Sequence, residues 1–79
     1  MYNYEIDCAM RKEAERMENA IKTYYETRKF IEVYCIFISA DCGTGKYFID
    51  IEIGGEPHLY KHWRGYYTGE QIRKAWNIN

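Results

Sequence analysis

Two histidines, three cysteines and a glycine-bracketed loop are the parts of this chain that most invite a chemical reading. His58 and His62 stand four apart. On a helix that spacing puts two imidazoles on one face, as a metal pair requires; on a strand, at ~3.3 Å per residue, they lie ~13 Å apart and cannot share an ion. A helix starting at Pro57 would favour metal, and a strand would exclude it. Ala40-Asp41-Cys42-Gly43-Thr44-Gly45-Lys46 carries the glycines and lysine of a permissive phosphate-binding loop, but Tyr47 occupies the place of the magnesium-binding hydroxyl. A strand pattern also follows where a helix N-terminus should cradle phosphate, so the segment reads as a hairpin turn. Cys42 or Cys35 can be drawn beside either histidine as nucleophile and base, yet no local signature joins them. Cys35 reads as a free core thiol and Cys42 as a loop thiol open to oxidation. Asp50 and Glu52 project to one side of an alternating strand, where solvated charge explains them without acid–base catalysis. No catalytic residue, metal or cofactor is expected, and the chain is not expected to be an enzyme.

A different signal comes from the C-terminal third, where aromatic and cationic side chains interleave through Tyr60, Lys61, His62, Trp63, Arg64, Tyr66 and Tyr67. Tyrosine offers a large amphipathic surface at low entropic cost, and Tyr, Trp and Arg dominate interface hot spots. Of the nine tyrosines, some must fill a thin core, and Tyr24 and Tyr47, with Trp76, are assigned that role. Tyr60, Lys61, Arg64, Tyr66 and Tyr67 are assigned to partner contact, around a turn after the third strand where Gly65 frees the backbone.

Seventy-nine residues allow one domain, residues 1–79, near the lower limit for a core without staples. Three cysteines without paired close spacing argue for reduced thiols, and neither a membrane-length apolar run nor a signal-peptide pattern is present in the sequence. A cytoplasmic protein with no membrane contact is expected. The net charge of −1 is unevenly spread. Residues 1–30 balance; residues 31–56 set Lys46 against Glu32, Asp41, Asp50, Glu52 and Glu56; residues 57–79 set Lys61, Arg64, Arg73 and Lys74 against Glu70. A sequence pI of 6.1 without a concentrated basic face makes nucleic acid the second choice of partner.

Periodicity places these groups on elements. Ile6, Met10, Ala14, Met17, Ile21 and Tyr24 recur at three and four residues, predicting a helix from about Cys8 to Arg28 with Asp7 as N-cap. Residues 2–6 fit either a short strand or an earlier helix start. Ile31 to Ala40 is apolar at both parities, as in a central strand covered on both sides. Lys46 to Ile53 alternates, with Tyr47, Ile49, Ile51 and Ile53 inward and Phe48, Asp50 and Glu52 outward. Gly54-Gly55-Glu56 turns the chain into a third strand at Pro57–Trp63. The register of this hairpin is open: a two-residue turn places His58, Tyr60 and His62 beside Ile49 and Ile51, whereas a three-residue loop places Leu59, Lys61 and Trp63 there. The three-residue loop is the favoured reading: it buries Leu59 and most of Trp63, puts His58 opposite Glu52, and leaves Phe48, Tyr60, His58 and His62 on the outer face. Thr68-Gly69-Glu70-Gln71 has capping-box spacing, with Tyr67 and Ile72 as its hydrophobic staple, so a helix should run from about Gly69 to Trp76 with Ile72, Ala75 and Trp76 as its apolar side.

The expected fold is α+β: a long helix, a three-stranded antiparallel meander and a short helix, αβββα. This order resembles that of double-stranded-RNA-binding domains over most of the chain, which implies RNA binding through a basic start to the last helix. Here Gly69-Glu70-Gln71-Ile72 occupies that start, with cations at Arg73 and Lys74. In size, aromatic richness and lack of a catalytic motif the chain is similar in style to small anti-defence and host-takeover proteins of bacteriophages, which implies stoichiometric binding to a protein as an inhibitor or modulator. Stacking and phosphate contact through Lys61, Arg64, Arg73 and Lys74 with Tyr60 and Tyr66 is the alternative.

Overall fold

The structure, a computed structural model, describes residues 2–79. Five elements follow in the expected αβββα order: α1 (Tyr4–Glu26), β1 (Ile31–Asp41), β2 (Lys46–Gly55), β3 (Leu59–Tyr67) and α2 (Gly69–Trp76). The strands form an antiparallel sheet in the order β1-β2-β3, with both helices on one face.

Helix α1 begins earlier than its apolar stripe suggests. Asn3 is the N-cap: its backbone is extended and its side chain accepts from the Ile6 amide. Asp7, expected as the cap, instead lies inside the helix on its buried face, accepting from the Tyr2 hydroxyl at 2.5 Å and pairing with Arg11 at 3.2 Å. The inward stripe is therefore Asp7, Met10, Ala14, Met17, Ile21 and Tyr25. Two expected members are displaced by this geometry. Ile6 is exposed because Asp7 holds the inward position of the first turn, and Tyr25 rather than Tyr24 continues the row one turn beyond Ile21. Tyr24 packs beside the core, edge-on to Tyr25. The helix stops at Glu26, short of Arg28, and the Thr27 hydroxyl and Arg28 guanidinium both donate to the Tyr24 carbonyl left free at its end.

β1 is not the doubly covered central strand its composition suggests. It is an edge strand, and Val33, Tyr34 and Phe37 are exposed. A bulge between Val33 and Cys35 explains why apolar residues occur at both parities. Before it Ile31 and Val33 register with Gly55 and Ile53; after it Ile36, Ile38 and Ala40 register with Ile51, Ile49 and Tyr47. One extra residue switches the inward parity, so each parity must supply apolar groups for part of the strand. Cys35 consequently falls on the outer face, half-buried, and is not a core thiol.

β2 alternates as expected, burying Tyr47, Ile49, Ile51 and Ile53. The loop after it has the three-residue length expected, but Gly54 and Gly55 end β2, and Glu56, Pro57 and His58 form the turn. Leu59, Lys61 and Trp63 therefore register with Gly55, Ile53 and Ile51. His62, not His58, stands opposite Glu52, and His58 is exposed in the turn.

α2 has the expected bounds, and both halves of the capping box form between Thr68 and Gln71. Ile72 and Trp76 are buried, while Ala75, expected on the apolar side, is exposed. The helix docks through Trp76, whose indole Nε1 donates to the Tyr25 hydroxyl at 2.8 Å, and through an ion pair of Arg73 with Glu13 on α1. Burial pushes the Glu13 carboxyl up, but hydrogen bonds and charge from Arg16 and Arg73 outweigh it and hold it below its ordinary value. One cluster from α1, β1, β2 and α2 forms the core, and Leu59 and Trp63 of β3, expected to be buried, are half-buried and pack against it.

Candidate functional site

The helices cover one face of the sheet only, so the opposite face is the broad surface on which strand alternation can display side chains. β3 runs through Gly65 to Tyr67 without the turn expected there. Alternation then divides the five expected contact residues. Tyr60, Arg64 and Tyr66 register with Gly54, Asp50 and Phe48 on the outer face, whereas Lys61 and Tyr67 register with Ile53 and Tyr47 on the helix side. One patch cannot present all five.

On the outer face the residues stand in rows across the strands: Ser39, Phe48, Tyr66; Phe37, Asp50, Arg64; Cys35, Glu52, His62; and Glu32, Gly54, Tyr60. Contacts also run diagonally between rows. Phe37 meets Phe48 edge-on at 6.4 Å, Phe48 meets Tyr66 at 5.3 Å, and the Arg64 guanidinium lies 5.7 Å from the Phe48 ring. Such pairs steady strand pairing by a few tenths to about 1 kcal/mol each, yet they leave Phe37 and Tyr66 about half exposed. At the opposite end Tyr34 lies across Gly54, and Tyr60 donates to Glu52 at 2.5 Å. Between the aromatic ends runs a polar belt: His62 Nε2 is 2.7 Å from Asp50 Oδ1, and Arg64 Nε is 3.7 Å from Oδ2.

Two groups on this face, the Tyr60 phenol and the Cys35 thiol, are held in their protonated forms. The hydrogen bond to Glu52, then burial and the carboxylate charge, raise the Tyr60 phenol above its ordinary value. Burial and then the charges of Asp50 and Glu52 push the Cys35 thiol up, which weakens it as a nucleophile, and its Sγ donates to the Asp50 carbonyl at 3.4 Å. Among the described residues no three His, Cys, Asp or Glu side chains converge on a metal-sized point. His58 lies in the turn before β3 and His62 within β3, so the two are not on one helix face. The Asp41–Lys46 segment is a hairpin turn in which the Asp41 carboxylate accepts from the Gly43 amide and the Thr44 hydroxyl.

Sequence reasoning missed Phe37 as part of this surface, because its parity faces out only once the bulge is known. The register sets His62 rather than His58 opposite Glu52, and His62 reaches diagonally to Asp50, which the alternation of β2 already pointed outward. Comparison of the chain with protein-family models, with curated proteins and with solved structures finds no match. Among the described residues no helix is long and apolar enough to cross a membrane.

Proposed function

We propose that this protein is a non-catalytic binding module that grips a protein partner through the outer face of its sheet, with Tyr60, Arg64 and Tyr66 joined there by Phe37 and Phe48. The observation that supports this reading is the uncovered aromatic row Phe37–Phe48–Tyr66 with Arg64 set over its middle ring. Contiguous exposed aromatics on a rigid sheet match the anchors that carry interface energy, and the belt of Asp50, Glu52 and His62 between them and Tyr60 supplies polar contacts. Stoichiometric contact of this kind suits an inhibitor or modulator, in the style of small phage takeover proteins.

A nucleic-acid partner is the weaker reading. Asp50 and Glu52 stand in the middle of the face that would meet phosphate, and three of the four expected cations do not converge: Arg64 lies against Asp50, Arg73 is paired with Glu13, and Lys61 is on the helix side. The test is capture from a host lysate with and without nuclease, followed by titration of the captured partner with parent and Arg64→Ala/Tyr66→Ala proteins. Both side chains are exposed, so the fold should persist while affinity falls at least about tenfold, and the loss should change little with salt. Undiminished binding by the folded double variant would overturn the placement. Nuclease-sensitive capture with a steep salt slope would overturn the protein partner.

A further inference from the structure

The helix side of β3 holds a second, chemically different site. A groove of about 300 Å³ lies over Leu59, Lys61 and Trp63, between the end of α1, the end of α2 and the strand. Trp63 and Trp76 meet edge-on at 5.1 Å and form one wall, which the hydrogen bond from Trp76 to Tyr25 holds in place. Tyr24 forms another, with the Arg28 guanidinium stacked 3.6 Å from its ring centre. Lys61 and Arg28 both line the groove, and neither has a carboxylate partner among the described residues. Arg28 makes one hydrogen bond, to the Tyr24 carbonyl, leaving most of its five N–H donors free.

Two unpaired cations beside flat aromatic walls define an occupant by complementarity. Ring against ring satisfies the walls, and a negative group satisfies the cations. The volume is at the bottom of the ~300–1,000 Å³ range of small-molecule pockets, which limits the occupant to roughly one fused ring system with one anionic group. We propose that this groove binds a small planar aromatic anion, its ring against Trp63 and Trp76 and its charge between Lys61 and Arg28, which Tyr24 holds in place by stacking. The free acid of a small molecule and the terminal carboxylate of an aromatic residue share that chemistry.

The chain has two tryptophans and both line the groove, so the two indole N–H signals in a ¹H–¹⁵N spectrum report on it directly. The probe is naphthalene-2-carboxylate, with neutral naphthalene-2-carboxamide as control. Both indole signals should move saturably with the carboxylate at a midpoint of about 1 mM or below, and the carboxamide should bind at least about tenfold more weakly. Lys61→Gln, at an exposed position without an ion-pair partner, should keep the parent melting temperature and erase most of the carboxylate's advantage. Arg64→Ala/Tyr66→Ala, on the opposite face, should bind the probe as the parent does, which separates this site from the partner surface. N-acetyltryptophan as a further ligand assigns the source: tighter binding than naphthoate supports a chain terminus, weaker binding a free small molecule. Equal affinity for acid and amide, a Lys61→Gln protein that binds the acid unchanged, or shifts still unsaturated at about 10 mM would each overturn the proposal.

Discussion

Replacing Trp76 with alanine tests how the short helix α2 is held. An isolated eight-residue helix does not persist in water, so α2 exists because Ile72 and Trp76 dock on the sheet and α1. Trp76 is 7% exposed, stacks edge-on against Trp63 and donates to the Tyr25 hydroxyl. Truncating a buried tryptophan costs ~3–5 kcal/mol, and the buried Tyr25 hydroxyl also loses its indole donor. A chain of 79 residues has a total stability of roughly 4–12 kcal/mol, so the variant should lose a large share of it. The assay is urea unfolding followed by far-ultraviolet circular dichroism, which does not depend on the deleted indole. With a slope of ~1 kcal/mol/M for so small a protein, the midpoint should fall by about 3 M or more, or the protein should be unfolded without urea. Trp76→Phe and Tyr25→Phe then isolate the hydrogen bond: each should cost about 0.5–1.5 kcal/mol for the bond itself, and the double variant should cost less than the two losses added. A Trp76→Ala protein that unfolds cooperatively within about 1 kcal/mol of the parent would refute the docking argument.

Two further perturbations probe the frame around the sites. A Cβ on Gly55 would collide with the backbone carbonyl oxygen of Phe30, which is itself fixed by a hydrogen bond from the Glu56 amide, whereas a Cβ on Gly54 meets only the exposed Tyr34 ring. Gly55→Ala should therefore lower stability by at least about 2 kcal/mol in a melt and Gly54→Ala by clearly less, and equal losses would contradict the close approach. Asp7 is held below the ordinary carboxylate value by the hydrogen bond from Tyr2, against the opposing effect of burial, and further by Arg11. A depressed folded pKa makes the ionised group stabilising above the unfolded value of ~4, and that stabilisation is lost as pH falls through the lower folded value. The stability gap between parent and Asp7→Asn should thus be full at neutral pH and close below about pH 4, and a gap that is independent of pH would count against the Tyr2–Asp7–Arg11 tie.

The sequence determined the order of elements, because period-four and period-two apolar patterns and a Thr-x-x-Gln cap are local signals that each segment carries within itself. It also determined the parity of β2, and it favoured the parity found in the second hairpin, which turns Leu59 and Trp63 toward the core. The N-cap was misread because Asn3 and Asp7 are both competent caps, and Asp7 is tolerated on the buried stripe only through Tyr2 and Arg11. The candidate surface was legible in its residue types and illegible in its arrangement. Interleaved Tyr, Lys and Arg from Tyr60 to Tyr67 mark contact chemistry, but a strand sends neighbours to opposite faces, so the run supplies Tyr60, Arg64 and Tyr66 to one side and Lys61 and Tyr67 to the other. Only tertiary structure joined Phe37 to Phe48 and Tyr66 across three strands, because the bulge in β1 decides which way Phe37 points. The groove is likewise a product of packing: Arg28, Lys61 and Trp76 are far apart in sequence and meet only where the ends of two helices border the third strand.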